Sequence, residues 1–258
     1  ALRFELGKLE VPAIRERMVG LLAEVDATLA ARVAEGLGIK VPRTLDKPIN
    51  MSIPADGDVA GHQPRRSAHT IDRSEALSMA NTIKDSIKSR KVAFLVADGF
   101  DEDAVATMKR ALTAAGGQAK IVAPRGGTLK GANGKSLKVD FSLLTTSSVL
   151  FDAVFVPGGA ASVAALEGEA DAIHFVNEAY KHCKAIGAVG EGVDLLKISY
   201  VEMPKAAGKK GRGGNSGGSD GVVANREAGA GAVAVDFIAA IAQHRHWGRE
   251  DLKSKVPA

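Results

Sequence analysis

Three short apolar runs constrain the fold of this chain more than any other feature of its sequence. They cover residues 92–96, Ala153–Val156 and Ala185–Val189, and glycine follows each within a few positions. Uniformly apolar runs of this length are typical of strands buried on both faces of a parallel sheet. Segments with helical spacing lie between them. The sequence therefore predicts a doubly wound α/β domain, with a mostly parallel sheet and helices on both of its faces.

Further elements complete this predicted domain, which covers residues 90–258. Asn133 and Gly134 separate two short apolar stretches, which is the sequence of a tight hairpin. Another helix is expected directly after the run that ends at Val189. The remaining predicted elements are strands at 118–123 and 221–225, and helices around 105–112, 171–183 and 229–246.

The first 89 residues carry two different patterns. Residues 1–40 are predicted to form mainly one helix that begins near Pro12, because apolar residues then recur at three- and four-residue spacing until Gly36 and Gly38 end it. One helix cannot bury such a stripe on itself, so it needs a partner surface. Residues 41–89 contain four prolines and are interpreted as an extended linker arm, with a short helix from Ser74 to Ile87.

Composition excludes several functional classes. The formal net charge of +4 is too small to indicate nucleic-acid binding. A single cysteine, Cys183, leaves no internal disulfide, and no apolar run is long enough to predict a membrane span. The chain begins at Ala1, shows no signal peptide and enters patterned sequence at once, which suggests a piece of a longer polypeptide. The expected compartment is the cytoplasm, with secretion of the longer protein left open.

Gly190 follows the buried run Ala185–Val189, at the point where the strand is predicted to turn sharply into a helix. In hydrolase-like α/β folds such a turn holds a nucleophilic side chain in a strained conformation. Glycine has no side chain with which to attack and relieves the strain. The sequence therefore predicts the scaffold of a catalytic turn without its nucleophile, and no catalytic, cofactor-binding or metal-binding residue is assigned.

Two neighbouring features have a catalytic and a structural interpretation. The amides of Gly158 and Gly159, after the strand Ala153–Val156, are able to form an oxyanion hole, but a plain strand-to-helix turn explains them equally and is preferred. The carboxylates of Asp101, Glu102 and Asp103 are able to act as a base, but capping of the following helix is the preferred interpretation.

The remaining candidates also favour structural roles. Cys183 lies beside His182 and Lys184, which are able to lower a thiol pKa, yet it is away from the turn at Gly190, and a buried structural thiol is preferred. No third ligand accompanies His244 and His246 beside Trp247, which argues against a metal site. No glycine-rich phosphate motif occurs at 126–127 or 213–214. The loop at 204–221 carries four basic residues and no aromatic residue, which favours a solvated loop, at Lys205, Lys209, Lys210 and Arg212.

Residues 90–258 resemble the DJ-1/PfpI, or class I glutamine amidotransferase-like, superfamily. The resemblance rests on residues 92–101, on Gly126–Thr128, on residues 151–159 and on residues 186–189. Together with the preceding helix and arm, and with the ending at 242–258, it extends over essentially the whole chain to the C-terminal part of large-subunit haem catalases. The resemblance implies a flavodoxin-like fold, with residues 1–40 as the helical tail of the catalase core.

The resemblance also defines what this chain lacks. Active superfamily members carry cysteine where Gly190 stands, and Asp101, near their acidic position, then has no nucleophile to serve. Catalases bind the haem iron through a tyrosine supported by arginine, and neither Tyr180 nor Tyr200 has that context. Haem is therefore expected in the parent enzyme and not in this chain.

The expected role is non-catalytic. The domain would stabilise or assemble a homotetramer with the catalase core, and it would shape the access of hydrogen peroxide. The alternative is a chaperone-like module that binds unfolded client proteins, and Gly190 argues against a residual hydrolase or glyoxalase activity. No nucleic acid or membrane partner is expected.

Overall fold

A computed structural model describes residues 1–43, 47–63, 74–78, 81, 83–203 and 220–257. The chain divides into two compact units, Ala1–Ser74 and Glu75–Ala258. The predicted basic loop at 205–212 and the glycine pair at 213–214 lie outside the described residues, as does Met79. Within the described ranges, no helix combines the length and the apolar character needed to cross a bilayer.

A six-stranded parallel sheet organises the second unit. Its strand order is β5-β2-β1-β6-β7-β8, and every neighbouring pair runs parallel. Without the edge strand β5, this is the order 2-1-3-4-5 of flavodoxin-like folds, so the predicted fold class is confirmed. The strands are β1 (Lys91–Leu95), β2 (Gln118–Ala123), β5 (Phe141–Ser142), β6 (Ala153–Val156), β7 (Ala185–Val189) and β8 (Val222–Asn225). A separate antiparallel pair, β3 (Thr128–Lys130) and β4 (Ser136–Lys138), forms the predicted hairpin around Gly134.

Five helices cover the two faces of the sheet. One face packs against α4 (Glu102–Ala114) and α8 (Ala230–Ala242), and the other against α5 (Ala160–Glu167), α6 (Ala170–Lys181) and α7 (Gly192–Ile198). Between the sheet and α8, the rings of Phe94 and Phe155 lie 5.0 Å apart, and those of Phe155 and Phe237 lie 5.8 Å apart. Burial on both faces explains why β6 and β7 are apolar at every position and β1 is apolar from Val92 onward.

The structure corrects two helix predictions in this unit. The last helix ends at Ala242 and not at His246, because His244 adopts a left-handed conformation with φ of 67°. The helix predicted from Ser74 to Ile87 is wrong: its described part holds a 3-10 turn at Glu75–Leu77, and residues 83–87 are not helical. Ile87 is buried in the core.

The N-terminal prediction of mainly one helix is also wrong. The structure has three helices, α1 (Leu2–Gly7), α2 (Pro12–Val25) and α3 (Ala27–Leu37). The break falls at Asp26, whose extended backbone interrupts the helix and whose side chain accepts the Leu29 amide at 2.7 Å as the N-cap of α3. Gly38 does end α3, with φ of 67°, whereas Gly36 lies within it.

The arm has local order but little regular structure. Asn50 and Gln63 are joined by two hydrogen bonds of 3.0 Å, and a 3-10 turn spans Ala60–His62. The proposed three-part division at residues 40 and 89 stays a prediction.

Candidate functional site

The turn between β7 and α7 has the geometry expected of a nucleophile elbow. Gly190 adopts φ of 56°, a left-handed conformation that side chains rarely adopt, and α7 begins two residues later. A Cβ atom at this position would lie 3.3 Å from the Gly158 Cα, so only a small side chain fits, and only under strain. The structure thus shows the path of such a turn, which is free of strain because its apex is glycine, and which carries no nucleophile.

Close backbone packing surrounds this turn. Gly159, at the end of β6, adopts φ of 110°, and a Cβ there would lie 2.4 Å from the Gly99 carbonyl oxygen. A Cβ at Gly192 would lie 2.4 Å from the Val156 carbonyl oxygen. Glycine is therefore required at both positions, because the ends of β1, β6 and β7 meet there.

The candidate oxyanion donor is already occupied. The Gly159 amide donates to Oε2 of Glu191 at 2.9 Å, and that same oxygen would lie 2.9 Å from a Cβ on Gly158. This hydrogen bond is the largest cause that lowers the pKa of Glu191, followed by its own backbone amide. An ionised carboxylate of the chain itself therefore stands where a substrate oxyanion would accept a hydrogen bond.

Ion pairs close the neighbouring side of the site. Asp194, in the first turn of α7, pairs with Arg226 after β8 and, at 2.8 Å, with Lys197. The hydrogen bonds from Arg226 and then Lys197 lower the pKa of Asp194 to about 2. Both cations therefore pair with the Asp194 carboxylate, which is not left free to act as a base beside Gly190.

The acidic segment after β1 has structural partners. The Asp101 side chain accepts the amides of Asp103 and Ala104 at 2.9 Å as the N-cap of α4. Oε1 of Glu102 accepts the amides of Asn133 and Lys135, and so ties the hairpin to α4. The capping interpretation of Asp101 is therefore confirmed.

Cys183 lies at the opposite end of β7 from Gly190. It is 3% exposed and adopts φ of 58° after the last turn of α6. Burial is the main cause that raises its thiol pKa, so the reactive thiolate is disfavoured. The structural interpretation of this cysteine fits its surroundings.

The C-terminal histidines lie near Cys183 and do not converge. His246 is buried, with Nε2 3.0 Å from the Ala240 carbonyl oxygen and Nδ1 3.5 Å from Asp220. Burial lowers the pKa of both His244 and His246. In the described part of the chain, no three histidine, cysteine or carboxylate side chains are grouped as metal ligands would be.

The two tyrosines differ in exposure. The Tyr180 ring is 2% exposed and lies beneath the guanidinium of Arg249, with 4.4 Å between that group and the ring centre. Tyr200 is 57% exposed. Tyr180 is therefore covered, and no catalytic step is assigned to haem in this chain.

Sequence reasoning missed the groups that fill this site. Glu191 directly follows the turn, so its position could be read from the sequence. The rotamer that brings its carboxylate to the Gly159 amide could not. No sequence signal pairs Arg226 with Asp194, because 32 positions separate them. The buried amine of Lys184 was noted only as a neighbour of Cys183.

Comparisons with known proteins match both parts of the chain to catalases. A family model for the C-terminal domain found in long catalases matches residues 88–251, and a catalase-related immune-responsive model matches residues 1–37. Catalase HPII of Mycobacterium avium is 39% identical over 100% of this chain and 33% of its own length. Catalase HPII of Pseudomonas aeruginosa is 36% identical over 100% of this chain and 31% of its own length, and Catalase-2 of Bacillus subtilis is 33% identical over 95% and 30%.

Solved structures include a two-domain protein from Anabaena variabilis with DJ-1/ThiJ/PfpI-like and ferritin-like domains, at 27% identity and a TM-score of 0.40. The match covers 42% of this chain and 32% of that one. The present chain spans about a third of the length of the curated relatives that it matches. The family model covers well over half of the chain, and the chain therefore belongs to the family of C-terminal domains found in long catalases.

Proposed function

We propose that this chain is the non-catalytic C-terminal part of a large-subunit haem catalase. The whole polypeptide would decompose hydrogen peroxide to water and oxygen. This part would stabilise or assemble the tetramer and shape the access of peroxide to the haem. The observation that carries the proposal is the catalase family match on a domain whose catalytic turn holds Gly190 and whose oxyanion donor is bound by Glu191.

The occupied donor argues for the non-catalytic half of the proposal. An oxyanion hole accelerates a reaction only when its donors are free to meet the charge that develops in the transition state. Here the Gly159 amide already bonds an ionised carboxylate at 2.9 Å. Replacing Gly190 with a nucleophile would therefore not be enough, because the developing negative charge would compete with the Glu191 carboxylate for the same hydrogen.

The haem belongs, on this proposal, to the part of the polypeptide outside this chain. Its iron would supply the redox chemistry of peroxide decomposition. On the same proposal, neither Tyr180, which Arg249 covers, nor Tyr200, which is 57% exposed, would be its ligand.

The N-terminal unit supports the assembly role. Its helices bury five hydrophobic side chains: Leu6, Val19, Ala30, Val33 and Ala34. So small a core stabilises an independent domain poorly. Several larger apolar side chains of the same segment are exposed, namely Leu2, Phe4, Val11, Ile14 and Val25. These residues would contact the catalase core, in agreement with the relatives, which are about three times longer.

The test compares the full-length catalase that carries this chain with a form from which residues 88–258 are deleted. We expect the deleted form to keep its haem absorbance but to lose tetramers in light scattering and to lose peroxide decomposition faster on heating. A change in KM for peroxide would report on access. A deleted form with unchanged assembly, heat stability and KM would contradict the proposal.

A matched variant separates assembly from hidden catalysis. Glu191→Gln keeps the size of the side chain but removes the negative charge that accepts the hydrogen bond of the Gly159 amide. We expect this variant of the full-length enzyme to decompose peroxide at the unchanged rate. A large loss of kcat with normal tetramers would show that this domain takes part in the chemistry. The comparisons favour the catalase role over the chaperone-like alternative.

A further inference from the structure

The segment 141–151, which leads from the edge strand β5 to β6, exposes large apolar side chains. Leu144 is 83% exposed, Val149 is 72% exposed and Leu150 is 55% exposed. Trp247, which is 46% exposed, lies beside Val149, because both side chains line one cleft. These four residues form the outer patch. Apolar groups that gather on a surface in this way mark sites of contact with another surface.

The same segment directs polar side chains inward. The hydroxyls of Thr146 and Ser148 are buried, and neither has a hydrogen-bond partner among the residues that the structure describes. Val149 and Leu150, the next two residues, are exposed. A buried hydroxyl without a partner costs free energy, and an exposed valine or leucine forgoes the gain of burial. This orientation is therefore the reverse of the one that contact with water would favour.

Contacts on the inner side of the segment hold it in this orientation. The Ser148 carbonyl oxygen accepts Nζ of Lys184 and, at 3.0 Å, the amide of Phe151. The Phe151 ring is buried in the core beside α6. With the Ser148 backbone and the Phe151 ring held on the inner side, Val149 and Leu150 stay on the outer side. The outer patch is thus a fixed feature of the fold.

The composition of the segment agrees with its exposure. Residues 141–151 include no charged residue, in a chain in which 25% of the residues are charged. Depletion of charge is typical of the buried centre of a protein interface. Charged side chains return at the cleft beside Val149, which Glu178 and Lys181 also line. A charge-free centre with charged groups at its border is the arrangement of an interface and its rim.

The length of the chain indicates what covers the outer patch. The chain spans about a third of the length of its curated relatives, and the family model describes a C-terminal domain found in long catalases. On the proposed function, about two thirds of the polypeptide therefore lies outside this chain. That part is large enough to cover the patch.

We propose that the outer patch docks on the part of the long catalase polypeptide that lies outside this chain. The surface that it meets there is apolar and uncharged. This inference rests on the proposed function, and it names a face of the second unit through which that function is exerted.

The first test identifies what lies against the patch in the full-length enzyme. The photo-reactive residue p-benzoylphenylalanine replaces Val149, and mass spectrometry locates the adduct after illumination. We expect the adduct to join position 149 to residues outside this chain. No adduct, or an adduct only to residues 1–258 of the same or a second copy, would overturn the proposal.

The second test compares the enzyme with the isolated chain. Val149→Ser together with Leu150→Ser should leave the melting temperature of the purified chain unchanged, because both residues are exposed there. In the full-length enzyme the same change should shorten the half-life of peroxide decomposition on heating about tenfold or more, the usual order for truncating residues at the centre of an interface. An unchanged half-life would overturn the proposal.

Val235 provides the matched control. It is 76% exposed, as Val149 is, but it lies on α8, which covers the other face of the sheet. Val235→Ser should leave the half-life of the full-length enzyme unchanged. A loss in Val235→Ser equal to that in the paired variant would contradict the docking of this particular face.

Deletion of residues 88–258 distinguishes failure of this inference from failure of the proposed function. A deletion that shortens the half-life, with no effect of Val149→Ser and Leu150→Ser, would mean that the domain stabilises the enzyme through another face. The docking assignment alone would then be wrong. No effect of either change would contradict both.

Discussion

Replacing Lys184 with methionine should make the stability of this chain respond differently to pH. Lys184 is 3% exposed, and burial lowers its pKa from 10.5 to about 8. Between these two pH values the unfolded chain binds more protons than the folded chain, so the free energy of unfolding rises with pH. The cost of burying the charge is thus present at pH 7 and disappears as the pH approaches 10.5.

The size of the effect follows from the pKa difference. The lowering of the Lys184 pKa from 10.5 to about 8 corresponds to about 3 kcal/mol, since a tenfold change in an equilibrium constant is worth roughly 1.4 kcal/mol. Methionine removes this cost but leaves the Ser148 carbonyl oxygen without its donor, which costs roughly 1 kcal/mol. Lys184→Met should therefore be about 2 kcal/mol more stable than the parent at pH 7, and about 1 kcal/mol less stable above pH 10.5.

Urea unfolding at a series of pH values from 7 to 10.5 measures both curves. Burial raises the pKa values of Tyr180 and Cys183, but both groups are present in both proteins, so their contributions largely cancel in the difference. Lys109→Met, on the exposed side of α4, is the matched control and should follow the parent curve. Parallel curves for Lys184→Met and the parent would refute the reasoning, because they would mean that Lys184 keeps its charge in the fold at no cost.

Substitutions at three positions test the stability of the second unit by urea unfolding. Gly190→Ala should cost about 1–2 kcal/mol, because alanine is strained at φ of 56°, and a neutral result would mean that the turn relaxes. Asp101→Ala should cost about 1 kcal/mol through loss of the α4 N-cap, whereas Asp101→Asn should retain most of it, and equal losses would contradict capping. Gly187→Ala should cost about 1–3 kcal/mol, since its Cβ would lie 2.9 Å from the Phe237 ring, and full stability would indicate a looser core.

The buried strands could be predicted from the sequence because burial on both faces makes β6 and β7 apolar throughout and β1 apolar from Val92 onward. β2, β6 and β7 have the predicted limits, whereas the short edge strand β5 and the helix α5 were not predicted. β5 has two residues and α5 lacks a polar face, so neither gives a periodic signal.

Helix ends were harder to predict, because single hydrogen bonds decide them. The apolar spacing of the N-terminal segment continues across the break at Asp26, so periodicity alone joins α2 and α3. An aspartate followed by a helical segment is an N-cap signal that the spacing concealed. The left-handed conformation of His244, which ends α8, carries no comparable signal in the sequence.

The candidate site was predictable in outline but not in its contacts. The missing nucleophile at Gly190 is visible in the sequence, because its position after β7 is fixed by the strand. The bond from the Gly159 amide to Glu191 joins residues 32 positions apart and depends on a side-chain rotamer. At the other end of β7, the fold also brings Val149, Lys184 and Trp247 together from three separate segments around one cleft, which the sequence does not indicate.

The shape of the turn at Gly190 persists for reasons of packing and not of chemistry. Gly192 and Gly159 both lie where a Cβ would approach a carbonyl oxygen to 2.4 Å, so the ends of β6 and β7 hold the chain in this path whatever residue stands at the apex. With the path fixed, φ at position 190 must stay positive, and only glycine adopts it without strain. Glycine is therefore the residue that stabilises the fold most at this position. The Glu191 carboxylate accepts the Gly159 amide at 2.9 Å and so ties the start of α7 to the segment that follows β6, which adds a hydrogen bond to the packing that holds the turn in place.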